Sequence, residues 1–157
     1  MPEIGFKFVP KEFFFDRQKV IAAVERGKRQ ALSKAGAFVR TRARSMLNKS
    51  PGKKARAAGN TTAPAGKAPF KHAGDLRRLM YFAYSPESGS VVIGPSRFKA
   101  GIVPELMEFG GTETLTNRRG KKRTAHYRGN HKFMGPSLAA EVEAGTIAKA
   151  WAGVVKN

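Results

Sequence analysis

Apolar residues recur along positions 16–47 at Val20, Ile21, Val24, Ala31, Leu32, Ala35, Phe38, Val39, Ala43 and Met46. Steps of three and four residues place them on one face of a helix. The spacing predicts one long helix over 16–47, about 45 Å from end to end. Asp16 is a suitable N-cap, because its carboxylate accepts from the free N–H groups of a first helical turn. Gly27 and Gly36 fall inside the pattern, and each costs about 1 kcal/mol relative to alanine. A bend or a division into two shorter helices is expected there. Phe6, Phe8, Phe13, Phe14 and Phe15 precede the helix. They read either as a short strand and plug on the core or as an arm that docks on a neighbouring subunit.

The pattern stops at Asn48. Residues 48–73 are rich in Pro, Gly, Ala and Lys, a composition that buries too little apolar surface to offset the entropy of ordering. A flexible basic loop that orders on assembly is expected. Structure resumes after Gly74. Leu76, Leu79, Met80, Tyr81, Phe82 and Tyr84 suggest a helical turn leading into a strand. Pro86-Glu87-Ser88-Gly89 is a turn signal, and Ser90-Val91-Val92-Ile93-Gly94 is a β-branched strand. A short helix is predicted over 103–109, opened by Pro104 and closed by Gly110-Gly111. Residues 112–116 and 124–127 read as strands flanking a basic tip within 117–132. The last prediction is a helix over 136–154, with Leu138, Val142, Ile147, Ala148, Trp151 and Val155 on its apolar face. The sum is an α+β domain: a long N-terminal helix and a C-terminal helix packed on a small antiparallel sheet.

The length of 157 residues suits one domain spanning 1–157. No run approaches the ~18 apolar residues of a spanning helix, and no apolar leader follows Met1. A soluble protein made in a cytoplasm, with no membrane partner, is expected. Thirty Lys and Arg against eleven Asp and Glu give a formal charge of +19. A surplus of this size favours contact with a polyanion or an acidic protein. It is concentrated in blocks, with no acid between Glu25 and Asp75 or between Glu113 and Glu141. Arg40, Arg42, Arg44, Lys49, Lys53, Lys54 and Arg56 in the first block are candidates to face DNA or a partner. Arg118, Arg119, Lys121, Lys122 and Arg123 in the second block are candidates on the same ground.

Catalytic templates fail one by one. The chain has no cysteine, so it has no thiolate nucleophile and no Cys-based zinc site. His126 and His131 sit in a basic stretch without a neighbouring acid to orient them, and His72 stands alone. Glu105 and Glu108 share a helix face, but surface glutamates at a helix start are common and no third catalytic group accompanies them. Gly94-Pro95-Ser96 and Gly135-Pro136-Ser137 lack the second glycine of a nucleophile elbow. No phosphate loop is present. The chain reads as a non-enzyme that uses no cofactor and no metal. Helix-turn-helix spacing and RNP-type aromatics are absent too, so any nucleic-acid binding would rest on charge and ignore sequence.

Several segments occur in a telling order. Gly74-Asp75-Leu76-Arg77 precedes the hairpin ending in Val91-Val92-Ile93-Gly94-Pro95. Glu108-Phe109-Gly110-Gly111 follows, then the basic tip, then Phe133-Met134-Gly135-Pro136-Ser137. This order resembles the minor tail and tail-completion proteins of long-tailed bacteriophages, across residues 16–154. Asn130-His131-Lys132 stands where that family often has Arg-Pro before its Phe-Met pair. The resemblance implies a structural virion protein of the neck or tail. It implies a homo-oligomeric ring, six-fold or twelve-fold, joining portal or head–tail adaptor proteins to the tail terminator or tail tube, with DNA in the channel. Glu108, Phe109, Gly110, Gly111, Phe133 and Met134 become its motif residues. Phe109, Phe133 and Met134 are expected in the core, the other reading being a ring interface. A sequence-nonspecific nucleic-acid-binding protein is the alternative function.

Overall fold

Helix α1 (Arg17–Met46) organises the fold. Asp16 caps it as expected, its carboxylate accepting the Lys19 N–H at 3.0 Å. The helix is not divided at its glycines. Gly27 and Gly36 are instead points of close approach. A Cβ on Gly36 would meet Phe82 Cδ2 and Val91 Cγ2 at 2.9 Å, and one on Gly27 would meet Val154 Cγ1 at 2.6 Å. Helix propensity is given up at both positions to bring other elements near the helix backbone.

The computed structural model describes residues 16–49, 51–59, 63–71, 75–96, 103–116, 120–152 and 154. The phenylalanine-rich segment 1–15, His72, Gly74, and Arg118 and Arg119 of the basic tip lie outside them. After α1 come α2 (Lys53–Ala57), α3 (Asp75–Arg78), β1 (Met80–Ser85), β2 (Ser90–Pro95), α4 (Val103–Phe109), β3 (Gly111–Thr116), β4 (Lys122–Tyr127), α5 (Met134–Glu143) and α6 (Thr146–Trp151). The class is α+β. In place of one sheet there are two separate antiparallel hairpins, β1–β2 and β3–β4. The first has Phe82 opposite Ile93 and Tyr84 opposite Val91.

α1 packs against β1–β2 and against α5 and α6. Small residues line its contact stripe, and Ala31, Ala35, Val39 and Ala43 are buried. Small side chains let neighbouring elements come close, the same device as Gly36. Ala43, Leu47, Leu76, Met80 and Phe133 form the core cluster, with Ala68, Met107 and Met134 packed on it. Phe133 is fully buried, and truncating such a ring to alanine costs about 4 kcal/mol.

Two findings go beyond the sequence pattern. The described residues of 48–73 include α2 and a parallel bridge between Asn48 and Phe70. Asn48 N–H donates to Pro69 O, Lys71 N–H to Asn48 O, and Gly66 N–H to Asn130 O, each at 3.0 to 3.1 Å. These bonds hold a proline-rich path that hydrophobicity alone would leave loose.

The C-terminal helix is also broken. Gly145, at φ 66°, separates α5 from α6, a left-handed conformation that glycine adopts without a Cβ penalty. The buried face of α5 is the polar one, Ser137 and Glu141. Leu138, Val142 and Trp151 are exposed, against the expectation from periodicity. Both buried polar side chains of α5 have partners. Ser137 Oγ donates to Phe133 O and lies 2.9 Å from Met46 Sδ. Glu141 accepts from Arg42 Nε at 2.7 Å and from the Thr146 hydroxyl.

Candidate functional site

The motif residues converge on one feature, the first turn of α5. Four N–H groups at a helix start lack intrahelical partners. Here Phe133 N–H and Met134 N–H donate to Glu108 Oε2 at 2.9 and 3.3 Å, and Gly135 N–H donates to Glu108 Oε1 at 3.0 Å. Pro136 has no N–H to satisfy, and Ser137 N–H returns to Phe133 O at 3.2 Å. One carboxylate from α4, twenty-five residues away along the chain, thus caps the whole turn. Glu108 is 7% exposed, not the surface residue expected from sequence. None of the cations of this strongly basic chain pairs with it among the described residues. Its charge is compensated by backbone N–H groups and the positive end of the α5 dipole.

Around that carboxylate the motif residues separate. Phe133 and Met134 join the core as expected. Phe109 does not: it is 79% exposed. The turn from α4 into β3 rotates it outward. Gly110 N–H closes the helix on Leu106 O at 2.8 Å, and Gly110 and Gly111 have φ of 84° and 130°. The turn is pinned by Gly129, which sequence reasoning missed. A Cβ there would meet Phe109 C and Gly110 N at 2.5 Å. A lone glycine after a basic strand gives no sign of a backbone approach made by a distant segment.

Phe109 stands at the rim of a groove of about 640 Å³ lined by Ile93, Pro95, Pro104, Glu108, Phe133 and Met134 among others. Two further apolar surfaces lie open. Val20, Ile21 and Val24 continue the buried stripe of α1 at helical spacing from Gly27 and Ala31, yet residues 17–26 are exposed throughout. Leu138 and Val142, one helical turn apart on α5, form the other, and Trp151 on α6 is exposed as well.

The candidate basic residues divide by role. Arg40 Nε donates to Met80 O at 2.8 Å, and Arg44 Nη2 donates to Arg78 O and Met80 O at 3.3 Å. These arginines fasten α1 to the start of β1. Arg42 fastens α1 to α5 through Glu141. The Thr146 hydroxyl and then Arg42 hold the Glu141 carboxyl below its ordinary range. Arg56 Nε donates to Pro51 O at 3.0 Å within the loop. Lys49, Lys53, Lys54, Lys121, Lys122 and Arg123 are exposed.

His126 and His131 each have a partner. His126 Nδ1 lies 2.9 Å from Thr112 Oγ1, and His131 Nδ1 donates to Lys67 O at 3.0 Å. Among the described residues no three His, Asp or Glu side chains cluster to hold an ion, and no helix is long and apolar enough to cross a membrane. Comparison with protein-family models, with curated proteins and with solved structures gives no match for this chain.

Proposed function

We propose that this chain is a structural virion protein at the head–tail junction of a long-tailed bacteriophage, a tail-completion or head–tail connector component without catalytic activity. The observation that carries the reading is the Glu108 cap. It joins the Glu-Phe-Gly-Gly segment to the Phe-Met-Gly-Pro-Ser segment, so the two motifs behind the family resemblance form one structural unit. Next to it, the turn pinned by Gly129 directs Phe109 outward.

Assembly into a ring requires unlike surfaces that meet around a closed circle. The exposed Phe109, the open stripe of Val20, Ile21 and Val24, and the pair Leu138 and Val142 supply apolar surfaces on different elements. A contiguous apolar stripe such as Val20, Ile21 and Val24 supports an interaction site when its area is large. The ring would meet portal or adaptor proteins on one side and the tail terminator or tail tube on the other.

Light scattering on the purified protein, alone and mixed with its neck partners, tests this. A closed oligomer is expected, and a protein that stays monomeric in every mixture refutes the reading. A free-standing, sequence-nonspecific nucleic-acid binder is the second reading, favoured by the net charge of +19. It predicts salt-sensitive DNA binding with no assembly.

A further inference from the structure

Four cations from two separate stretches of the chain meet at the C-terminal end of α1. Arg44, Lys49, Lys71 and Arg77 line a cleft of about 340 Å³ together with Ser45 and Asn48. The fold assembles them deliberately from three elements. α1 carries Arg44, the Asn48–Phe70 bridge sets Lys49 and Lys71 beside each other, and α3 carries Arg77. We propose that this cleft binds the phosphodiester backbone of duplex DNA.

The bland explanation is that cations gather at a helix C-terminus to complement its dipole. Magnitudes argue against it, because the dipole end amounts to about half an elementary charge and four cations leave a large surplus. No carboxylate pairs with any of the four among the described residues. Arg44 Nε is buried without a hydrogen-bond partner, which is costly for a charged group. Burial, then the neighbouring charges of Arg40 and Arg77, also push the Arg44 guanidinium below its ordinary value. A phosphate in the cleft would offset the crowding of positive charge around Arg44.

The lining indicates which anion. It contains no aromatic side chain, so it offers no platform for the stacked bases of a single strand. It has no acidic residue, and its two apolar residues are turned to the core, Leu47 buried and Met46 half-buried against Ser137, so a peptide finds little anchorage there. Cations with short polar side chains between them suit phosphate oxygens, and duplex DNA presents about one charge per 1.7 Å of its axis. Such contacts position a duplex without reading its sequence. The inference does not depend on the joining role, since a chain that never forms a ring can still hold DNA here.

The test is fluorescence anisotropy with a labelled duplex of random sequence, across a salt series. The triple variant K49Q/K71Q/R77Q is compared with R29Q/K34Q/K149Q, which removes the same charge from exposed positions away from the cleft. Thermal melts establish that both fold. Loss of three phosphate contacts makes the slope of log K against log salt shallower by about 2.7 in the cleft variant, with the control variant close to wild type. Equal losses in the two variants would overturn the proposal, since a diffuse field would then explain the binding. So would absence of duplex binding by the wild-type protein at low salt. Polyglutamate displacing the duplex at equal charge concentration would assign the cleft to an acidic protein and overturn it too.

Discussion

Removing the Glu108 carboxylate should unfold this protein more easily than its place next to an open groove suggests. Three N–H bonds end on it, at 2.9, 3.3 and 3.0 Å. A helix-capping bond is worth about 1 kcal/mol, so Glu108→Ala loses about 3 kcal/mol from caps alone. Bonds to a charged acceptor sit at the upper end of the scale, while water entering from the groove returns part of the loss. Glu108→Gln keeps one oxygen, which serves Phe133 and Met134, but turns an amide N–H₂ toward the Gly135 N–H. It also removes the negative charge from the α5 N-terminus, worth up to about 1 kcal/mol near the surface. The expected cost is about 2 kcal/mol. A domain has about 5–15 kcal/mol in total, so both losses are large. In urea, with a slope of about 2 kcal/mol per molar, the midpoint falls by about 1.5 M for the alanine variant and about 1 M for the glutamine variant. The slope itself stays unchanged. Midpoints within about 0.25 M of wild type for both variants, or glutamine costing more than alanine, would refute the capping role.

Other substitutions separate packing from assembly. Gly36→Ala gains about 1 kcal/mol of helix propensity, but its methyl lies 2.9 Å from Phe82 and Val91. Overpacking costs about 1–3 kcal/mol, so urea melts should show a net loss. Glu141 titrates below the ordinary glutamate value of 4.5, and its stabilisation is therefore complete above that pH and lost as pH falls through the lowered folded value. Glu141→Gln should be less stable than wild type at neutral pH, with the gap closing in acid, as followed by thermal melts across pH. Phe109→Ser should change stability by less than about 0.5 kcal/mol, as for most surface positions, while weakening oligomer formation in light scattering.

The elements that depend on local pattern were legible in the sequence. α1 starts at the capping aspartate, the first hairpin turns where Pro86 and Gly89 indicate, and α4 ends at Gly110. What the pattern could not convey are decisions made by distant partners. Ser137 and Glu141 are buried because Phe133 O, Arg42 and Thr146 await them, so the apolar positions of α5 face outward. Periodicity counts apolar residues and has no way to register a polar one with its partner. Phe109 follows the same logic, because the backbone turn pinned by Gly129 overrides the preference of an aromatic ring for the core. Glu108 looked like an ordinary helix-surface glutamate, since nothing in four residues of motif reveals three donors a quarter of a hundred residues onward. The glycines of α1 were read as weak points for the same reason. Their function lies in Phe82, Val91 and Val154, none of which is near them in sequence.

Electron cryo-microscopy of virions carrying this protein bears on the joining role without intermediates. A ring of copies between portal and tail tube, with Phe109 and the Val20–Val24 face of α1 buried against neighbouring chains, is the expected result. Density for the neck that leaves this chain out, or copies whose Phe109 and α1 faces meet only solvent, would contradict it.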